Sequence, residues 1–424
     1  MNENINNIAS TKLDKSLVFD NSVVKVLDLG MHAFADSFLS ANDLSISEPI
    51  FPLNVVLDPI SGLLHNEYLT PAIERYNKVD YSYTSSSSKF FRNHWASFVP
   101  LINSLGGKVG NSVIEVGSND GYLCSLLLDN GYNVNGIDIS ESMVKQALAN
   151  GIPSHNKLFG LNSSIELIDA IGTCDFLIAN NVFNHANDPL DFLLGIKKIL
   201  NQTGLFIIEV PYWKTQIENN RFDMVYHEHI TYFTAFSIKK IIEEAGMYIK
   251  DIEVVNSHGG SLRIIGSKAK TENSIVEKMI EDEEESGIFT VEYYLAAMKR
   301  INTIRAKTMN KIYEIGDDQK IYGIGAAAKA NTLLTYFGLN STLISAITDS
   351  SPFKIGKYTP LTRIPIVPDS YLADDTTCWA IILSWNLGSD LRSLLNKINP
   401  NLRYIEIRRN ITFLKMQFQS LKYI

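Results

Sequence analysis

Cysteine is scarce in this chain, with three in 424 residues, at positions 124, 174 and 378. So widely spaced and odd in number, Cys124, Cys174 and Cys378 supply neither zinc-ligand spacing nor a disulfide framework, and they fit a reducing compartment. No apolar run approaches the roughly eighteen residues a bilayer-spanning helix needs, so no membrane partner is expected. The amino terminus, MNENINNIASTKLDK, has no apolar stretch behind a basic one, and a cytoplasmic address is expected. Basic charge is also short. Thirty-eight Lys and Arg stand against 46 Asp and Glu, a net charge of −8, and without a basic stripe nucleic acid is a poor partner. Histidine is rare too, at eight, yet two of them flank a glutamate in YHEHITYF, residues 226–233.

What is abundant is core material: 45% of residues are hydrophobic and 20% charged, the balance of an ordinary globular protein. The length calls for two or three domains. Residues 1–70 mix short β-like runs (SVVKVLDLG, PLNVVLD) with Pro and Gly breakers and read as a small lobe. Residues 71–267 open helically, pass through YSYTSSSSKFF, and then alternate apolar β-type runs with helical stretches. SVIEVG, YNVNGIDI, CDFLIAN, GLFIIEV, IKDIEVV and SLRIIG are the strand candidates, and their alternation with helices predicts a mostly parallel, doubly wound α/β sheet. Residues 268–310 read as a charged helical connector. Residues 311–424, with KIYGIGAAAKANTLL, LISAITDSS and WAIILSWN, begin a second α/β unit.

The stretch SVIEVGSNDGYLCSLLLDNGYNVNGIDIS carries the first chemistry. A β-run closing on Glu115 leads into a turn with Gly117, Ser118, Asn119, Asp120 and Gly121, then a helix, then a second strand ending at Asp138. The glycines permit a tight turn and close approach of the backbone to a ligand, and a carboxylate at the tip of the second strand can accept hydrogen bonds from ribose hydroxyls. Acidic residues around the turn would repel a pyrophosphate but suit a sulfonium and its ammonium group, so S-adenosylmethionine is favoured over NAD. Asn180, Asn181 and His185 follow the CDFLIAN strand, the next place along the sheet's carboxyl edge where a ligand would be met.

YHEHITYF lies between the GLFIIEV strand and the helix TAFSIKKIIEEAG, which has Thr234 as N-cap and Gly246 as stop. It therefore falls on the ligand-binding edge of the sheet. Position 231 is threonine, which excludes the metalloprotease motif, and no third ligand supports a His-x-His metal site. Acid and base chemistry is the better use of such a cluster, because imidazole titrates near neutrality and a carboxylate can tune it. In the second α/β unit, IYGIGAAAKANTLL repeats the order strand, Gly323 and Gly325, helix. It lacks the Walker pattern, and Lys329 at its helix start suits an anion.

The combination of EVGSNDGYL, NVFNHANDPLDFL, YHEHITYF, SHGGSLRI and YGIGAAAKANTLLTYFG with TDSSPFKIGKYTPLTRIPI resembles the nucleotide-sugar C-methyltransferases. These enzymes methylate carbon 3 of 4-keto-deoxysugars carried on thymidine diphosphate. The resemblance runs over roughly residues 25–410. It implies a class I, Rossmann-like methyltransferase domain between a small amino-terminal zinc lobe and a carboxyl-terminal Rossmann-like domain that helps hold the nucleotide. The family's zinc-ligating cysteines are missing here, replaced by KSLVFD and LDPISGLL, so a metal-free lobe is expected. By position, the resemblance implies Tyr226, Glu228 and His229 as the reaction-centre group, with Asn181 and His185 facing them and either Tyr81 or Tyr83 entering the site. It also implies Lys329, Asn331 and Asp349 as nucleotide contacts.

Deprotonating a carbon beside a ketone requires a base near that carbon and donors for the enolate oxygen. His229 is the expected base, Tyr226 or His185 the donor, and Glu228 an orienting group for the imidazole or a ligand for a sugar hydroxyl. The expected cofactor set is Glu115, Gly117, Ser118, Asn119, Gly121, Asp138, Asn180 and Asn181. Methylation of an oxygen or nitrogen on a sugar or another phosphorylated metabolite, and a non-catalytic binding protein of the same fold, are the alternatives.

Overall fold

A computed structural model of the chain describes residues 10–72, 75, 89–316, 319–375, 377–385 and 388–407. Tyr81 and Tyr83 lie outside them, as does the serine-rich stretch.

The lobe contains β1 (Thr11–Lys12), β2 (Val24–His32), β3 (Phe51–Leu57), β4 (Leu64–Asn66) and β5 (Tyr68–Leu69). The middle of the chain supplies β6 (Ser112–Val116), β7 (Asn133–Asp138), β8 (Ser154–Asn156), β9 (Cys174–Asn180), β10 (Leu200–Pro211), β11 (Thr231–Tyr232), β12 (Tyr248–Val255) and β13 (Ser261–Ser267). After helices Ser274–Ser286 and Val291–Ile315 come β14 (Lys320–Ile324), β15 (Ala346–Asp349), β16 (Ile366–Pro368), β17 (Cys378–Ile382) and β18 (Arg403–Tyr404).

Seven strands form the central sheet in the order β12-β13-β10-β9-β6-β7-β8. The run from β10 to β8 is parallel, whereas β13 is antiparallel to both its neighbours. Such strands, covered on both faces, read as unbroken apolar runs such as VIEV and FLIA. Their two faces feed separate cores, one around Leu177, Phe206 and Ile208 and the other around Ile178, Ile207 and Phe98. Chain order reverses between β6 and β9, so the crevice at their carboxyl ends is where a ligand binds in a sheet of this topology. The expected strands β6, β7, β9, β10, β12 and β13 are all present, and the short β8 joins them.

The second sheet, β16-β15-β14-β17-β18, is wholly parallel and reverses between β14 and β17. It therefore offers a second crevice built on the same rule.

β11 does not join the central sheet. It pairs antiparallel with β4, extending the lobe's sheet to β11-β4-β3-β2. One hydrophobic cluster then runs from Leu27, Leu53 and Leu57 of the lobe through Tyr294 and Ile301 of the long helix to Leu333 and Phe337 beneath the second sheet. Lobe, helical connector and second sheet thus share a core. No described helix is long and apolar enough to cross a membrane.

Candidate active site

A cavity of about 870 Å³ opens along both crevices. Its walls include Glu115, Gly117, Asn119 and Asp138 from the first, His185, Tyr226, Glu228 and His229 from the loops above the sheet, and Lys329 and Asp349 from the second.

The first crevice is shaped by a turn that only particular residues allow. Gly117 has φ 73° and Asn119 φ 52°, the left-handed region that glycine, and less readily asparagine, enters. A Cβ on Gly117 would lie 2.9 Å from Val182. Asp138 accepts from the N–H groups of Asn119 at 2.9 Å and Ser140 at 2.8 Å, which fixes its carboxylate at the tip of β7. Burial pushes the Glu115 carboxyl up to about 8, with the charges of Asp120 and Asp138 adding, while the Cys124 thiol donates to it at 3.1 Å. A cationic ligand would restore its ionised form. On the facing wall the amide nitrogens and oxygens of Asn180 and Asn181 are buried without a hydrogen-bond partner among the described residues, a costly arrangement unless a polar ligand satisfies them. These groups fit S-adenosylmethionine.

Two expected cofactor contacts are placed elsewhere. The Ser118 hydroxyl does not line the cavity; it sits against Gly136, where a Cβ would approach it to 2.5 Å. Gly121 caps the helix Tyr122–Asp129 at φ 79°, packed against Ile152, and is likewise away from the wall.

In YHEHITYF the alternate residues diverge. His227 is buried against Phe34 and Phe51 of the lobe, and burial lowers its pKa to about 4. His229 points into the cavity. Its Nδ1 lies 2.9 Å from the Met224 carbonyl oxygen, which can only accept, so Nδ1 carries the proton and Nε2 keeps the lone pair. Nε2 receives the Tyr226 hydroxyl at 2.5 Å. Burial, with His185 nearby, holds the imidazole well below its ordinary pKa, hence neutral. The rings of His185 and His229 meet edge to face, 4.9 Å between centroids.

Glu228 corrects one expectation, because it does not orient the imidazole. The Met224 carbonyl does that. Glu228 Oε1 instead accepts from the N–H groups of Ala35 at 3.1 Å and Asp36 at 3.4 Å in the lobe, and Oε2 has no partner among the described residues. Burial, with the Asp36 charge adding, raises this carboxyl to about 7. Asn331 is a second correction: its Nδ2 donates to the Ala35 carbonyl at 2.6 Å, tying the second sheet's helix to the lobe, and it does not line the cavity.

Several wall residues carried no assignment from sequence. Asp36 comes from the lobe. Phe91 and Trp95 come from helix Lys89–Ala96, which His94 pins to buried Glu209 at 2.7 Å. His258 has φ 47° in its glycine turn, lies tilted against Phe91 with ring centroids 5.0 Å apart, and is held neutral by burial, which lowers its pKa to about 3. The stretch SHGGSLRI was its only signal in the sequence. Beside it, the cations of Arg221 and Lys329 both lie over the Trp385 ring, at 4.3 and 4.1 Å from its centroid, and the indole N–H donates to Asp223 at 2.7 Å. This clamp joins the two crevices. No group of three or more metal-ligating side chains occurs among the described residues.

Residues 91–251 match the family model of a methyltransferase domain, and residues 256–401 that of a C-methyltransferase C-terminal domain. The chain is 27% identical over 371 residues to the C-methyltransferase NovU of Streptomyces niveus, covering 86% of this chain and 88% of that one. It is 25% identical over 143 residues to a ubiquinone biosynthesis O-methyltransferase of Rickettsia bellii, 32% of this chain and 60% of that one. Among solved structures, magnesium protoporphyrin IX methyltransferase of Synechocystis, with bound SAH, is similar at 17% identity and a TM-score of 0.35, over 42% of this chain and 83% of that one.

Proposed function

We propose, from the premise that the chain belongs to the S-adenosylmethionine-dependent C-methyltransferases, that it methylates the carbon beside the ketone of a nucleotide-linked 4-keto-deoxysugar. S-adenosylmethionine, held by Glu115, Gly117, Asn119, Asp138, Asn180 and Asn181, supplies an electrophilic methyl group. The observation that carries the reading is His229, a neutral imidazole whose Nε2 lone pair is aimed into the same cavity by the Met224 carbonyl.

His229 takes the proton from the carbon next to the ketone. Tyr226, hydrogen bonded to that nitrogen, turns its hydroxyl to the ketone oxygen as negative charge develops there, with His185 beside it as a second neutral donor. Glu228 offers Oε2 to a sugar hydroxyl. Lys329 and Asp349 hold the nucleotide end, so the sugar reaches the reactive loop from the second crevice. Holding donor and acceptor at opposite ends of one cavity provides the alignment that a displacement at a methyl carbon requires.

Incubation with methyl-labelled S-adenosylmethionine and a panel of nucleotide-linked keto sugars, followed by NMR, is expected to place the label on the carbon adjacent to the ketone. Label on oxygen or nitrogen would redirect the assignment. His229→Ala is expected to lower kcat by roughly 10²–10⁴-fold and to abolish exchange of that carbon's proton with solvent deuterium. Unchanged exchange in the variant would remove His229 as the base.

A further inference from the structure

The two crevices are built alike to a degree their sequences conceal. After β6, Gly117 (φ 73°) donates its N–H to the carbonyl of Ile137 at 2.8 Å. Asp138, the next residue, takes the Asn119 N–H on Oδ2 at 2.9 Å and the Ser140 N–H on Oδ1 at 2.8 Å. After β14, Gly325 (φ 85°) donates to the carbonyl of Thr348 at 2.8 Å. Asp349, again the next residue, takes the Ala326 N–H on Oδ2 at 2.7 Å and the Ser351 N–H on Oδ1 at 2.8 Å. In both, the aspartate closes the neighbouring parallel strand, and the residue two places on ties its second oxygen. Both carboxylates line the same cavity.

Each oxygen of such a carboxylate has two acceptor sites, and at Asp349 the backbone occupies one on each. One acceptor per oxygen is left, side by side, which matches a pair of hydroxyls on adjacent carbons. A ribose has that pair. A 2′-deoxyribose does not.

The surroundings separate the two ligands by charge. The first turn stands beside Glu115 and Asp120. The second runs Gly325-Ala326-Ala327-Ala328-Lys329 into a helix start, with Lys329 on the wall and Lys354 Nζ 2.8 Å from the Ala326 carbonyl. A Cβ on Gly325 would strike the Ser384 hydroxyl, so the turn's close approach to the end of β17 requires glycine. Small residues, backbone N–H groups and two lysines suit a diphosphate, and Phe353, 54% exposed at the rim just beyond Asp349, offers a face to a base.

We propose that Asp349 anchors a second nucleoside cradle, one that selects a ribonucleoside diphosphate over its 2′-deoxy counterpart. The proposal rests on the nucleotide-sugar reading only in requiring a nucleotide-linked acceptor. It departs from the thymidine carrier that the family resemblance implies, since that carrier is a 2′-deoxynucleotide.

The test is calorimetric titration of the full chain, saturated with S-adenosylhomocysteine, with UDP against dUDP, CDP against dCDP, GDP against dGDP, and dTDP. At least one ribonucleotide is expected to bind more tightly than its deoxy partner by on the order of tenfold, the loss from one hydrogen bond to a charged group. Asp349→Asn should bring that ratio toward one, chiefly by weakening the ribonucleotide. Asp138→Asn should weaken S-adenosylhomocysteine and leave the ratio intact. Equal affinities within every pair of the wild-type protein, or tighter binding of dTDP than of any ribonucleotide, would overturn the selectivity while sparing the nucleotide-sugar reading. Displacement of S-adenosylhomocysteine by UDP would place the nucleotide in the first cradle and overturn it as well. Failure of every diphosphate to bind would sink both.

Discussion

Glu228 and His229 are neighbours in sequence and are turned to opposite tasks, which makes their protonation separable. His229 is neutral far into the acid range because burial penalises the imidazolium, so the proposed base does not limit activity at neutral pH. Glu228 ionises at about 7. With Glu228 binding substrate as the carboxylate, kcat/KM is expected to climb as pH rises through about 7 and to level off above it. Glu228→Gln, whose amide oxygen can still accept from Ala35 and Asp36, should flatten that climb and raise KM more than it lowers kcat. A climb that survives in the variant would assign it to another group. The types of these residues were legible in YHEHITYF; their directions were not. Glu228 meets Ala35 across 193 positions of sequence, and spacing within an eight-residue motif cannot register a contact of that span.

At the scale of elements, the lobe is held by hydrogen bonds of its own side chains. In LDPISGLL, Asp58 is buried. It accepts from the side chains of Asn21 and Ser61 and from the N–H groups of Ile60 at 2.9 Å and Ser61 at 3.3 Å. This knot, together with β11 joining the lobe's sheet, positions Ala35 and Asp36 over the reactive loop. Asp58→Ala is expected to destabilise the lobe by about 2 kcal/mol, the order of a lost set of hydrogen bonds to a charged group, as a shift in urea unfolding. A chelator should leave the wild-type transition unmoved. Stoichiometric zinc in the purified protein would contradict this account. The strands with apolar runs were readable from periodicity, but β11 is two residues long, and a bridge that short is decided by its partner β4 rather than by its own propensity.

The whole molecule buries titratable groups of two kinds with opposed effects on stability. Seven of its eight histidines, among them His185, His227, His229 and His258, are held below the ordinary 6.5. The unfolded chain therefore binds more protons below 6.5, and the stability these histidines lend grows as pH rises toward it. Glu115, Glu228 and Glu283 are raised by burial from 4.5 to about 8, 7 and 7. The folded protein there holds the extra protons, so their contribution falls as pH climbs from 4.5 through those values. Between 4.5 and 6.5 the histidines prevail by number; above 6.5 their contribution tails off as the unfolded imidazoles lose their protons, and that of the carboxyls takes over. Thermal unfolding midpoints at constant ionic strength are expected to peak near pH 6.5 and to decline toward pH 8, and a monotonic rise to pH 8 would refute the balance. By itself the sequence determined the apolar strands of the central α/β unit, both glycine turns, and the acid at the tip of β7, because a strand, a turn and the next strand lie within some thirty residues whose periodicity is local. Only the tertiary structure decided that the two turns open on one cavity, that His227 faces the lobe while His229 faces the cavity, that Asn331 serves the lobe, and that Asp36 and His258 join the wall. Those outcomes depend on packing between segments hundreds of residues apart, where a side chain's role is set by what it meets rather than by its place in a motif.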